Sequence, residues 1–279
     1  MQITAAQVKQ LRDATGAGMM DCKNALVKAN GNFEEADKIL KEMGLAAVAK
    51  RQDRATDNGR VFIKNNGKKV VMLMVSCETD FVAANDKFVT LGNDLCDMVL
   101  ANGYTEINDE LTAKVNSLIA IIKENMKLEK LYVLPLAEGH YAATYIHGAG
   151  QMGVIVEFAS DKPEVFDNPL VKEFTNDCAL HVAAFTPSHL TMKEVPQKYI
   201  DEQMDIFRVQ VKDMDKPDNV KEGIVRGKLN KHLSDICFMN QAFVKDETMS
   251  VEKKLAAVSK EVGAKLSIVS FTYFVAGLK

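Results

Sequence analysis

The sequence carries a gapless internal echo, and that echo limits the available folds more than any other feature. A shift of 83 residues sets Ile63 on Ile146, Gly67 on Gly150 and Val71 on Val154. The same shift sets Asn93-Asp94 on Asn176-Asp177, Val99 on Val182 and Ala101 on Ala184. The order of expected elements repeats with it. Residues 60–64 and 69–76 read as strands around Asn65-Asn66-Gly67, a strong hairpin signal. A helix over 86–102 follows, with Phe88, Leu91, Leu95, Met98 and Val99 inward. Residues 141–147 and 153–159 make a second hairpin, and 168–184 a second helix. A further helix is expected over 109–125 from the spacing of Leu111, Val115, Leu118 and Ile122. The fold class is therefore α+β, with a duplicated α+β core of antiparallel sheets.

Two other units flank or interrupt this core. Residues 1 to about 44 read as three short helices with clearly written ends. Thr4 caps the first helix, Gln7 completes a capping box, and Ile3 staples onto Val8. Thr15-Gly16-Ala17-Gly18 closes it. The second helix spans 21–29, with Ala25, Leu26 and Ala29 inward. Asn32 caps the third, with Glu35 at the box position and Ala36, Ile39, Leu40 and Met43 as its stripe. Three helices this short bury little area, and such a unit usually exists to hold a partner. An alanine-rich basic linker (Lys50, Arg51, Arg54) then leads to Asp57-Asn58-Gly59.

Late in the chain, Ile200, Met204, Phe207, Val211 and Met214 alternate at four and three residues, a heptad seam. Lys216-Pro217-Asp218-Asn219 breaks it, and Val220, Ile224, Val225, Leu229, Leu233 and Ile236 return. Two such helices form an inserted antiparallel hairpin. A helix over 251–262 and a strand over 265–275 close the chain. The expected domains are 1–56 (helical unit and linker), 57–139 (first core subdomain), 140–189 with 238–279 (second core subdomain), and 190–237 (the hairpin).

The 47% hydrophobic and 26% charged content suits a globular chain able to bury a core. A formal charge of −3 gives no global drive toward nucleic acid or an anionic membrane. The start Met1-Gln2-Ile3-Thr4 turns polar at once, so no signal peptide is expected. The longest apolar run, Val70 to Val75, is far short of the roughly 20 residues of a membrane span. Cys22, Cys77, Cys96, Cys178 and Cys237 are scattered and odd in number, which suits reduced thiols in a cytoplasmic chain.

No catalytic or metal constellation stands out. Gly148-Ala149-Gly150-Gln151-Met152-Gly153 matches GxGxxG, but it leads into the apolar strand Val154-Ile155-Val156 rather than a helix, so it reads as a turn. None of His140, His147, His181, His189 and His232 has metal-ligand spacing with a second ligand. His181 reads as a packed, hydrogen-bonded core histidine, and His147 as an exposed residue at the start of the Gly-rich turn. The loop Cys77-Glu78-Thr79-Asp80-Phe81-Val82 has two readings. In one, Phe81 tucks into the core and Asp80 caps the next helix. In the other, Phe81 is an exposed anchor for an apolar pocket on a partner, with Asp80 as a charged specificity element. The alternating charges along the hairpin (Asp201, Glu202, Asp205, Arg208, Lys212, Asp213) mark a solvated face or a dimer surface.

Residues Leu11 through Lys23 (LRDATGAGMMDCK) and Cys77 through Val82 resemble the two signatures of the elongation factor Ts family. Tyr145-Ile146-His147-Gly148, Asp177 with His181-Val182-Ala183-Ala184, and Gly227-Lys228-Leu229 with Phe243-Val244-Lys245-Asp246 resemble further family blocks, in order. The resemblance implies a ubiquitin-associated-like N-terminal domain, a duplicated core and a coiled coil. It implies a guanine-nucleotide exchange factor, without bond chemistry, catalytic residues or cofactor. Its partner would be elongation factor Tu, GDP-bound and nucleotide-free, with no direct nucleic acid and no membrane. Homodimer and 2:2 heterotetramer both stay open.

By the same resemblance, Thr79, Asp80, Phe81 and Val82 form the segment that dislodges the partner's magnesium. Arg12, Met19, Lys23 and His147 match positions that contact its G domain. The chain departs from the family pattern at Met74-Val75-Ser76, Gln151 and Ala242, and it lacks a helical tail after Gly277-Leu278-Lys279. Two other classes compete. An RNA-binding protein would need an aromatic-basic motif, and a Cys/His enzyme a paired nucleophile and base; neither is present.

Overall fold

A computed structural model describes residues 3–277; the readings of Met1-Gln2 and Leu278-Lys279 fall outside them. Three helices open the chain: α1 (Ala5–Thr15), α2 (Met19–Lys28) and α3 (Phe33–Ala49). Thr4 and Gln7 form the reciprocal capping box, and Gly16 ends α1 in the left-handed region at φ 71°. Asn32 accepts a hydrogen bond from the Glu35 N–H at 3.1 Å and so caps α3. Val8, Leu11, Cys22, Ala25, Leu26 and Ala36 are the buried centre of this small unit. Helix α3 runs past residue 44, where the sequence suggests an end, because the alanine-rich stretch that follows is a good helix former. Gly44 is there for contact rather than termination. A Cβ on it would lie 2.8 Å from the Cβ of Ala120.

The first sheet holds β1 (Asn58–Asn65), β2 (Lys69–Cys77) and β3 (Met126–Pro135) in the order β1-β2-β3. Both pairings are antiparallel, and the register of β2 on β3 shifts between Met74 and Val75. Strand β2 is buried from Val70 to Cys77, as a continuous apolar run requires of a central strand. Between β2 and β3 lie the single turn α4 (Asp80–Ala83), α5 (Asp86–Asn102) and α6 (Asp109–Ile122). Val71, Leu73 and Val75 pack with Phe88, Leu95, Leu111 and Ile119 as one core. Strand β3 has no clear signal in the sequence. Lys127, Glu129 and Lys130 interrupt its apolar residues, a pattern suited to an edge strand.

The second sheet orders β4 (His140–His147), β5 (Met152–Ser160) and β8 (Leu266–Val275) as β4-β5-β8. Its helices are α7 (Pro169–Phe185) and α10 (Val251–Val262). The bounds of β5 and α7 are those of β2 and α5 plus 83 residues, so the echo in the sequence is an echo in structure. The bounds of β8 are those of β3 plus 140. The extra length holds the hairpin α8 (Gln197–Val211) and α9 (Asp218–Ile236) and the short pair β6 (Ala242–Phe243) and β7 (Asp246–Ser250). The strands β6 and β7 are too short to register in the sequence. The hairpin seam closes around Val195, Leu229, Leu233 and Cys237, with Tyr199, Ile200, Met204 and Phe207 beside them. Met214 and Val220 are exposed, so the seam ends before the Pro217 break.

The described residues fall into two compact units. One holds everything up to Pro135, the segment Ile146–Gly153 and the chain from Phe274. The other holds Leu136–Tyr145 and Val154–Tyr273. Among the described residues, no helix is long and apolar enough to cross a membrane.

Candidate functional site

Strand β2 delivers the chain to Cys77 and gives out, and the next five residues are held from several sides. Asn58 donates its side-chain N–H to the Glu78 carbonyl at 2.9 Å. The Glu78 carboxylate accepts the backbone N–H of Asn125 at 2.6 Å and pairs with Arg54 at 3.4 Å. Thr79 caps α4, its Oγ1 accepting the Val82 N–H at 3.3 Å. The Thr79 hydroxyl donates to Glu124 Oε1 at 3.0 Å, and the Thr79 N–H to Glu124 Oε2 at 3.2 Å.

One helical turn divides these residues into an inner and an outer set. Val82 and Ala83 join the core under β2, while Asp80 and Phe81 face out. Phe81 is 83% exposed, the most open large apolar side chain among those described. The core therefore does not take Phe81. Nor does Asp80 cap α5: its Oδ1 accepts the N–H of Phe81 at 2.9 Å, and Asn85 caps α5 by accepting from Lys87 at 2.9 Å. Exposing a phenylalanine forgoes about 2 kcal/mol of burial. A rigidly supported turn that forgoes it presents a ready anchor for an apolar pocket.

The other expected contact residues are also at the surface. Arg12 and Lys23 are exposed on α1 and α2, and Met19 is 52% exposed at the start of α2. Met20, beside it, is more open still at 64%, and Val27 is exposed further along the helix. His147 is exposed at the end of β4. The turn after it uses Gly148 and Gly150 at φ 59° and 91° and leads into β5, as a hairpin turn does. The Gly150 carbonyl accepts the Val61 N–H at 2.8 Å, which ties this turn to β1. All eight expected contact residues thus belong to the same compact unit.

His181 plays a different part. It is fully buried, ringed by Phe185, Phe238 and Phe243 at 4.7, 5.2 and 6.2 Å between centroids. Its Nδ1 accepts the Val244 N–H at 3.1 Å, so Nε2 carries the proton and donates it to Gln241 Oε1 at 2.9 Å. Burial pushes its pKa down, against a smaller upward pull from Gln241.

The thiols offer no nucleophile. All five cysteines are buried. Burial, with Glu124 adding to it, pushes Cys77 up to about 12, and burial does the same for Cys96. The thiolate is the reactive form, so these groups are inert near neutral pH. Native protein at pH 8 is expected to resist alkylation by iodoacetamide, and guanidinium-unfolded protein to take up five equivalents; mass spectrometry reads both. Rapid modification of native Cys77 would contradict this burial. Among the described residues no grouping of three or more His, Cys, Asp or Glu is placed to hold a metal ion.

The family model described as "Elongation factor TS" matches residues 78–278. The chain is 49% identical to elongation factor Ts of Treponema denticola over 278 residues, covering 100% of this chain and 99% of that protein. It is 42% identical to elongation factor Ts of Treponema pallidum over 290 residues, covering all of both chains. The elongation factor Ts of Borrelia hermsii is also 42% identical, over 99% of this chain and 100% of its own length. Full-length identity at this level, with the family model over most of the chain, makes the chain a member of the elongation factor Ts family.

Proposed function

We propose that the chain is a guanine-nucleotide exchange factor that binds GDP-loaded elongation factor Tu, dislodges its magnesium and promotes GDP release during translation elongation. The observation that carries the reading is Phe81, 83% exposed on a turn whose neighbours Thr79 and Val82 are fixed. Phe81 serves as the wedge, and Asp80 as the charge that disturbs the partner's magnesium surroundings. Arg12, Met19, Lys23 and His147 supply further contacts with the G domain.

Such a factor performs no bond chemistry. It binds the nucleotide-free partner more tightly than the GDP-bound one, and reciprocity then weakens GDP binding by the same factor. Loss of magnesium leaves the phosphate charges unscreened at short range, where the Coulomb term is large. GTP then fills the emptied site and displaces the factor.

The test is release of a fluorescent GDP analogue from elongation factor Tu in excess unlabelled nucleotide. Micromolar chain is expected to accelerate it by at least about tenfold, a coupling within or above the usual allosteric range. No acceleration would sink the reading.

A further inference from the structure

We propose that the tripeptide Lys123-Glu124-Asn125 is a joint that holds the Phe81 turn and the N-terminal helices in one binding geometry; the inference rests on the exchange-factor reading. Between them its three residues grip α2, the linker after α3 and the turn after β2. Helix α6 stops at Ile122, and Lys123 takes the left-handed conformation at φ 68°, with its N–H on the Ile119 carbonyl at 2.8 Å. A lysine is rarely found there. That single reversal points the residues that follow toward the turn after β2.

The Lys123 ammonium pairs with Asp21, in the first turn of α2, at 2.7 Å. Its carbonyl accepts from Arg51 Nε at 3.0 Å, in the linker just past α3. Glu124 accepts both the N–H and the hydroxyl of Thr79. Asn125, 2% exposed, gives its backbone N–H to Glu78 and its side-chain amide to the carbonyls of Gln52 and Arg54 at 3.3 and 2.8 Å. Three successive residues thus connect α2, the linker after α3, and both residues that precede Asp80-Phe81.

Stability alone does not account for the arrangement. The Asp21–Lys123 pair is half-exposed, and such pairs add little to stability. What it supplies is direction. Two binding elements that must engage one partner together gain affinity only if their spacing is held, because the second contact then forms at high effective concentration. A wedge must also be held within a fraction of an ångström, since a displacement of about 1 Å can cost a hundredfold in rate. Glu124 and Lys123 are thereby positioning residues: neither needs to touch the partner.

The two halves of the joint give separable signatures. In Glu124→Ala the amides of Thr79 and Val82 are expected to exchange hydrogen faster, and the maximal rate of GDP release at saturating factor to fall about ten- to a hundredfold. In Lys123→Ala the maximal rate stays nearer wild type, while the concentration for half-maximal release rises severalfold. Glu124→Gln keeps one acceptor for the Thr79 hydroxyl and is expected to recover most of the lost rate; it is also the variant to read should Glu124→Ala fold poorly. A folded Glu124→Ala with wild-type amide exchange, or with loosened amides but an unchanged maximal rate, overturns the joint. A wild-type chain that releases no GDP removes the exchange reading and the joint with it. An active wild type with an equally active Glu124→Ala removes the joint alone.

Discussion

Phe81→Ala is expected to leave the thermal midpoint within about 2 °C of wild type and, on the proposed exchange function, to lower GDP release from elongation factor Tu about thirtyfold or more. The first half follows from exposure. A side chain that is 83% open contributes almost nothing to the core, and exposed substitutions of this kind usually lie within about 0.5 kcal/mol. The second half follows from the anchor role proposed for Phe81. An aromatic inserted into a partner pocket typically carries about 2 kcal/mol or more, which is about thirtyfold in an equilibrium or rate. Stopped-flow release of fluorescent GDP, with a thermal melt of the same sample, reads both quantities. A variant that melts early shows that Phe81 has a structural role, and one that exchanges normally shows that the wedge lies elsewhere. Asp80→Asn separates the electrostatic part, because it keeps shape and the hydrogen bond to the Phe81 N–H while removing the charge.

The contrast between what the sequence discloses and what it conceals follows the range of the interactions involved. The caps at Thr4 and Asn32, the heptad seam and the 83-residue echo are local or periodic, and each is present in the fold. The apolar run Val70 to Val75 reads as a strand, and it is the central one of its sheet. Strand β3 escaped because an edge strand alternates weakly and its charged residues resemble those of a loop. The outward turn of Phe81 could not be decided from local chemistry, since a loop phenylalanine is as reasonable inside as outside. What decides it is Glu124, 45 residues from Thr79 in sequence, and Asn125, 47 from Glu78. No periodicity announces contacts of that range. The expected helix over 109–125 even hid these two residues in its last turn, whereas the actual helix stops at Ile122 and frees them.

His181→Ala is expected to cost about 3–5 kcal/mol of unfolding free energy, the largest stability effect among these variants, yet to leave exchange by folded protein near wild type. The ring fills a site among three phenylalanines, and its removal leaves a cavity. It also strips the half-buried Val244 N–H of its acceptor and buried Gln241 of its donor, and a buried group left unpaired costs about 1–3 kcal/mol. Gln241 is itself fixed by donating to the Asp235 carbonyl at 2.7 Å, so the loss propagates to the base of α9. His181→Phe restores volume without the hydrogen bonds, and a stability between alanine and wild type apportions the two contributions. The tautomer adds a pH signature. Nδ1 must stay unprotonated to accept from Val244, and burial holds the native pKa below the ordinary value near 6.5. The unfolded chain therefore binds the proton first. This contribution is fully present above pH 6.5, declines as pH falls through that value toward the lower native pKa, and is flat beneath it. Urea melts between pH 5 and 8 should show an additional slope in wild type relative to His181→Gln; parallel profiles would show that the ring takes up its proton as readily in the folded as in the unfolded chain, and a slope of opposite sign that it is held protonated and cannot accept from Val244.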